Sequence, residues 1–139
     1  MTADENGAEN KEMQTAATTR RGLLKSRLNT GTSLDYLNLL MGEINNKNTR
    51  ITVRYVPDKQ ILPPAAFMEY LASFGDVADE ALESLAIAIL DDINNEVVPR
   101  WVQIAAARTT AGQADHRVLI EDRQPKWDNP ALLARLKRF

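Results

Sequence analysis

The stretch Asn45-Asn46-Lys47-Asn48, followed by Thr49-Arg50-Ile51-Thr52-Val53-Arg54-Tyr55-Val56, decides the fold. Ile51, Val53 and Tyr55 alternate with Arg50, Thr52 and Arg54. That is the period-two pattern of a half-buried strand rich in β-branched and aromatic side chains. The asparagines ahead of it tolerate left-handed backbone and favour a turn. A turn directly before a strand points to a β-hairpin whose other arm is segment 34–44. Taken by itself that segment is ambiguous. Leu34, Leu37, Met41 and Ile44 would form a helical stripe. As a strand it puts Asp35, Leu37, Leu39 and Met41 on one face, with Tyr36 and Leu40 on the other. The neighbouring turn favours the strand.

Beyond the hairpin, Pro57-Asp58 ends the strand and Pro63-Pro64 opens a helix, because proline suits a first turn. Phe67, Tyr70, Leu71 and Phe74 follow at helical spacing. Gly75 reads as a C-terminal cap and Asp76 as the N-cap of a second helix running to about residue 94. Ala78, Ala81, Leu82, Leu85, Ile89 and Ile93 make its buried stripe. Asp79, Glu80 and Glu83 sit near its start, where the helix dipole favours negative charge. Pro99 precedes a third strand over 101–108, a glycine-containing turn over 109–115 and a fourth strand over 116–120. Order and pattern give an α+β domain over 32–124: an antiparallel sheet in ββααββ order with two helices on one face. The other face and the sheet edges then need cover, with Trp101, Tyr55 and Val118 supplying apolar area near them.

Residues 1–31 are polar and read as a disordered tail. Arg20, Arg21, Lys25 and Arg27 form a basic cluster in it, read as solvated, with docking on a phosphate or an acidic partner as the alternative. Residues 125–139 form a C-terminal extension with a short basic helix from Ala131.

Composition excludes several chemistries. The chain of 139 residues has no cysteine, which removes disulfides, thiolate nucleophiles and thiolate metal sites together. A net charge of −2 with interspersed signs gives no basic field for direct nucleic-acid binding. No apolar run is long enough to span a bilayer, and the acidic start Met1-Thr2-Ala3-Asp4-Glu5 is unlike a signal peptide, so cytoplasmic location is the expectation. His116 is the sole histidine and cannot build a metal cluster alone. Asp91-Asp92 with Asn94, Asn95 and Glu96 lacks the calcium-loop spacing and reads as a solvated helix end. Ser26, Ser33, Ser73 and Ser84 have no suggestively spaced histidine, and no glycine-rich phosphate loop is present.

Four blocks carry a resemblance: Tyr55-Val56-Pro57-Asp58, Tyr70-Leu71-Ala72-Ser73-Phe74, Ile89-Leu90-Asp91-Asp92-Ile93 and Pro99-Arg100-Trp101-Val102. Over residues 49 to 104 the chain resembles the 7-cyano-7-deazaguanine reductases, the nitrile reductases of queuosine biosynthesis, which serve tRNA modification. The resemblance implies the tunnelling fold (T-fold), whose unit has the strand and helix order read above. It implies oligomers with sheet-lined barrels, sites at subunit boundaries, and a glutamate that anchors a purine or pterin. It also implies a cysteine that adds to the nitrile and NADPH that reduces the adduct. Asp35 and Leu40 are the nearest equivalents of that cysteine, and neither is a thiol. The family's cofactor motif of basic and hydroxyl residues falls on 62–68, here Leu62-Pro63-Pro64-Ala65-Ala66-Phe67-Met68, so NADPH binding is not expected there. The family's His-Glu pair aligns with Leu82-Glu83, leaving Glu83 either an ordinary first-turn carboxylate or a retained ligand anchor. The implied function is that of a non-catalytic or diverged homologue, a pseudoenzyme that binds a purine, deazapurine or pterin at a subunit interface. The alternatives are an NADPH-dependent reductase whose cysteine comes from a partner subunit, and a structural interaction module that uses its sheet edges. The expected partners are further copies of the chain or a reductase-like subunit.

Overall fold

The alternation around residues 49–56 becomes the centre of a four-stranded antiparallel sheet. The structure is a computed structural model that describes residues 19–44, 48–75 and 80–138. In chain order the elements are β1 (Arg27–Leu28), β2 (Asn38–Glu43), β3 (Thr49–Val56) and β4 (Gln60–Ile61). They continue with α1 (Pro64–Ala72), α2 (Leu82–Glu96), β5 (Trp101–Arg108), β6 (His116–Arg123) and α3 (Pro130–Leu133). A 3-10 stretch, Ala134–Arg138, closes the described chain. The main sheet runs β2-β3-β5-β6, and β1 pairs with β4 in a separate two-residue ladder. The α+β class and the ββααββ order of the main elements are those expected from the sequence.

Register explains the core. Ile51, Val53 and Tyr55 of β3 stand beside Ala106, Ile104 and Val102 of β5, and all six are at most 1% exposed. Leu82, Leu85, Ala86, Ile89 and Ile93 of α2 complete that layer together with Phe67, Tyr70 and Leu71 of α1. Helix α1 lies very close to β2. A Cβ added at Gly42 would stand 2.6 Å from Leu71 Cδ1 and 3.2 Å from Met68 Sδ. A side chain at this position would have to displace those side-chain ends of α1.

Several expectations need correction. Helix α2 starts at Leu82, with Ala81 as an N-cap that makes no side-chain bond. Ala81 is exposed and Ala86 takes its place in the stripe. The expected N-cap Asp76 and stripe residue Ala78 lie outside the described residues. Gly75 does take positive φ, at 65°. Trp101 and Tyr55 are buried rather than spread over an open edge. The Tyr55 hydroxyl accepts from the Leu62 amide at 2.8 Å, and Trp101 Nε1 donates to Glu121 at 3.0 Å.

The described part of the N-terminal segment packs on the domain, against the expectation of a disordered tail through residue 31. Leu24 is buried, and the Arg21 guanidinium bonds Asp92 at 2.6 Å. Arg20 lies over the Phe74 ring, 4.8 Å from its centroid. One buried leucine and two arginine contacts hold a stretch that composition alone would leave free. At the other terminus, Asn129 caps α3 by accepting from the Leu132 amide, so the expected short helix is α3 and its 3-10 continuation.

Candidate functional site

The two ends of the main sheet carry different chemistry. At the end where β3 leaves and β5 enters, Arg100 gathers four acceptors: Thr32 O, Leu34 O, Asp35 Oδ1 and Asp58 Oδ1, at 2.6 to 3.2 Å. Asp35 also accepts from Trp127 Nε1 at 3.1 Å and Asn129 Nδ2 at 3.0 Å. Burial opposes the charge on Asp35, but the bonds from Asn129, Arg100 and Trp127 outweigh it and hold the carboxyl below its ordinary range. Gln124 donates to Asp58 at 3.1 Å. This network ties residues 32–35 and the C-terminal extension to the sheet. A carboxylate with three donors around it is a structural tie, and its oxygens are poor nucleophiles beside a thiolate.

Leu40, the other residue nearest the family's thiol, pairs with Val53 in register and packs against the core. The segment 62–68 forms the entry and first turn of α1, with Leu62 and Phe67 buried. None of its side chains carries a charge or a hydrogen-bond donor. The side chains of this segment therefore offer no charge to a dinucleotide's phosphates.

Glu83 lies at the opposite, hairpin end. It occupies the first turn of α2, its side chain 58% exposed, and accepts from His116 Nε2 at 2.8 Å. His116 opens β6 opposite Arg108. Arg108 in turn reaches back to α2, donating Nη1 to Glu80 O at 2.6 Å and Nε to Thr49 Oγ1 at 3.1 Å. Leu82, which stands where the family has histidine, is buried in the core. His116 therefore brings an imidazole to Glu83 from another strand, a pairing that the sequence reading did not foresee. The same end of the sheet opens into a polar cavity of about 210 Å³ that includes His116 in its wall.

Asp35 and Glu83 thus lie at opposite ends of the sheet. Asp35 sits with Arg100 before β5, and Glu83 sits with His116 opposite the last residue of β5. Seven strand steps lie between, on the order of 20 Å. Asp92, read as a solvated residue, is only 3% exposed. It accepts from the Tyr70 hydroxyl at 2.5 Å and from Arg21 at 2.6 Å. Among the described residues no group of His, Cys, Asp and Glu could hold a metal ion, and no helix is long and apolar enough to cross a membrane.

Comparison with known proteins gives a family. The family model described as QueF-like protein matches residues 47–127. Two curated relatives, both named NADPH-dependent 7-cyano-7-deazaguanine reductase, come from two strains of Acidithiobacillus ferrooxidans. Each is 32% identical over 82 residues, a stretch that is 59% of this chain and 57% of the relative. The chain thus spans little more than half the length of the relatives it matches. Among solved structures, the apo form of the archaeosine synthase QueF-Like superposes with a TM-score of 0.47 at 18% identity. It covers 63% of this chain and 90% of that one, a likeness on which nothing further rests.

Proposed function

The chain belongs to the QueF-like protein family, and we propose that within it this chain is a non-catalytic, diverged member that binds a purine, deazapurine or pterin-like ligand at a boundary between subunits. The observation that carries the reading is the absence of cysteine from the whole sequence. A reductase that works through a covalent sulfur adduct needs a thiolate, and neither Asp35 nor Leu40 supplies one. The first turn of α1 has no charged or hydrogen-bonding side chain to offer a dinucleotide's phosphates.

Glu83 supports retained binding. An ionised carboxylate presents two acceptors to the two donors of one base edge. Here it is exposed at a sheet end and ready to exchange His116 for a ligand. Both outer strands, β2 and β6, end the sheet with an unpaired edge among the described residues, which is where subunits add. In this reading the protein is an oligomer of the cytoplasm in the service of deazapurine chemistry.

Thermal-shift screening of purines, deazapurines and pterins tests the reading, because a specific ligand raises the melting temperature by mass action. For whichever compound emerges, Glu83→Gln swaps one acceptor for a donor and should weaken binding roughly ten- to a hundred-fold. Its melting temperature without ligand should change little, because the side chain is exposed. Equal affinity in the variant removes Glu83 from the site. A second reading, an enzyme completed by a partner that brings the cysteine, draws on the chain spanning only 57% of its relatives. Recovery of such a partner with this chain, together with turnover by the pair, would place that reading first.

A further inference from the structure

The sheet face turned away from the helices carries a second feature, independent of Glu83. Register places Glu43, Arg50, Ala107 and Arg117 in one row across all four strands. Partners in register share a face. This row alternates with the core-facing row of Ile51, Ala106 and Val118, so its side chains project on the open side. Neighbouring strands lie about 4.8 Å apart, which puts the Cα positions of Arg50 and Arg117 roughly 10 Å from each other. Ala107 between them is too short to fill the gap. The cavity of about 210 Å³ opens at this place, and its charged lining is Arg50, Arg108, Arg117, Glu43 and Asp115, with His116 at the side.

Three guanidiniums face two carboxylates there, an excess of one positive charge with His116 neutral. Arg108 is committed to Glu80 O and Thr49. Arg50 is held by Glu43 at 3.5 Å, with both side chains about half exposed (57% and 48%), an arrangement that water screens strongly. Arg117 makes no hydrogen bond or ion pair among the described residues. Two planar forks thus converge on one small cavity with donors to spare. A carboxylate has two oxygens and is satisfied by one fork, whereas a phosphate group offers acceptors in several directions and can take both. The volume falls below the 300 Å³ or more of typical whole-ligand pockets, so it suits a single charged group.

We propose that Arg50 and Arg117, standing either side of Ala107, form a cradle for a phosphate group, carried by a phosphorylated metabolite or present as the free ion.

Calorimetric titration of the full chain tests this with three probes at constant ionic strength: inorganic phosphate, a nucleoside 5′-monophosphate and the matching nucleoside. Both phosphate-bearing probes should bind saturably, with dissociation constants of about 1 mM or below. Tighter binding of the monophosphate assigns the phosphorylated metabolite as the source, and equal binding assigns the free ion. Arg117→Gln and Arg50→Gln should each weaken phosphate binding at least about tenfold, the usual consequence of losing a charge-assisted contact. Glu43→Gln should tighten it severalfold by releasing Arg50. All three positions are exposed, so the variants should melt as wild type does. Failure of both phosphate probes to bind saturably overturns the proposal. So does phosphate affinity unchanged in all three variants, or a nucleoside that binds as well as its monophosphate.

Discussion

The bond between Tyr70 and Asp92 gives a sharp test of how the helices are locked. Tyr70 is fully buried on α1, and its hydroxyl donates to Asp92 Oδ2 on α2 at 2.5 Å. Oδ1 of the same carboxylate accepts from Arg21, which comes from the N-terminal segment. Replacing Tyr70 by Phe keeps the ring and its edge-on contact with Phe74, at 5.1 Å between centroids, and deletes only the hydroxyl. A hydrogen bond to a charged group contributes about 1.5–3 kcal/mol. Its loss leaves one oxygen of a carboxylate that is only 4% exposed with no partner. Arg21, 35% exposed, partly compensates through the other oxygen, so the expected loss is about 2 kcal/mol. For a chain of this size that corresponds to a fall in Tm of about 4–10 °C. Urea unfolding should show the midpoint moving with an unchanged m-value. A double-mutant cycle of Tyr70→Phe with Asp92→Asn should report a coupling of about 1–2 kcal/mol. A Tyr70→Phe variant within about 0.5 kcal/mol of wild type would refute the claim that this bond fastens α1 to α2.

Two further perturbations probe the packing and the buried phenols. Gly42→Ala places a methyl group 2.6 Å from Leu71 Cδ1, so the buried Leu71 side chain or α1 itself must give way, and urea unfolding should show a loss of about 1–3 kcal/mol; wild-type stability would mean the side chains repack without strain. Burial raises the phenols of Tyr55 and Tyr70, and for Tyr70 the hydrogen bond to Asp92 adds to the rise. Above about pH 10 the unfolded chain therefore releases protons that the folded chain keeps, so stability is full below that pH and declines as pH rises past it. Tyrosinate absorbance from these two residues should appear together with the loss of circular dichroism; their ionisation in a chain that still shows native dichroism would contradict the burial.

How much of this was legible in the sequence depended on the range of the interaction. The β3 alternation gave a face to Ile51, Val53 and Tyr55, and the asparagine cluster favoured the strand reading of segment 34–44, of which β2 takes 38–43. Those signals are local, as are the prolines ahead of α1 and β5. Asp92 was misread because its partners stand 22 and 71 residues away, and nothing near it in sequence reports a buried tyrosine and an arginine. The same distance hid the docking of Arg21, since polar composition measures how little a segment can bury, and here Leu24, the Arg20 and Arg21 contacts, the buried Asn29 and the β1–β4 ladder hold the segment together. At the candidate site, Glu83 was named from alignment with the family, but its partner His116 comes from β6, 33 residues on, and could only be found in space. The arginine row is legible only after the register is known. Arg50 and Arg117 then fall opposite the same alanine.

We propose that this chain keeps the scaffold of its family and, having no cysteine, does not carry out thiolate-dependent reduction. The most direct measurement is NADPH consumption by the purified chain with 7-cyano-7-deazaguanine, in a preparation shown free of host reductase. The account predicts a rate equal to that without protein, because no thiolate is present to form the covalent adduct. Turnover that rises in proportion to the amount of this chain would contradict it.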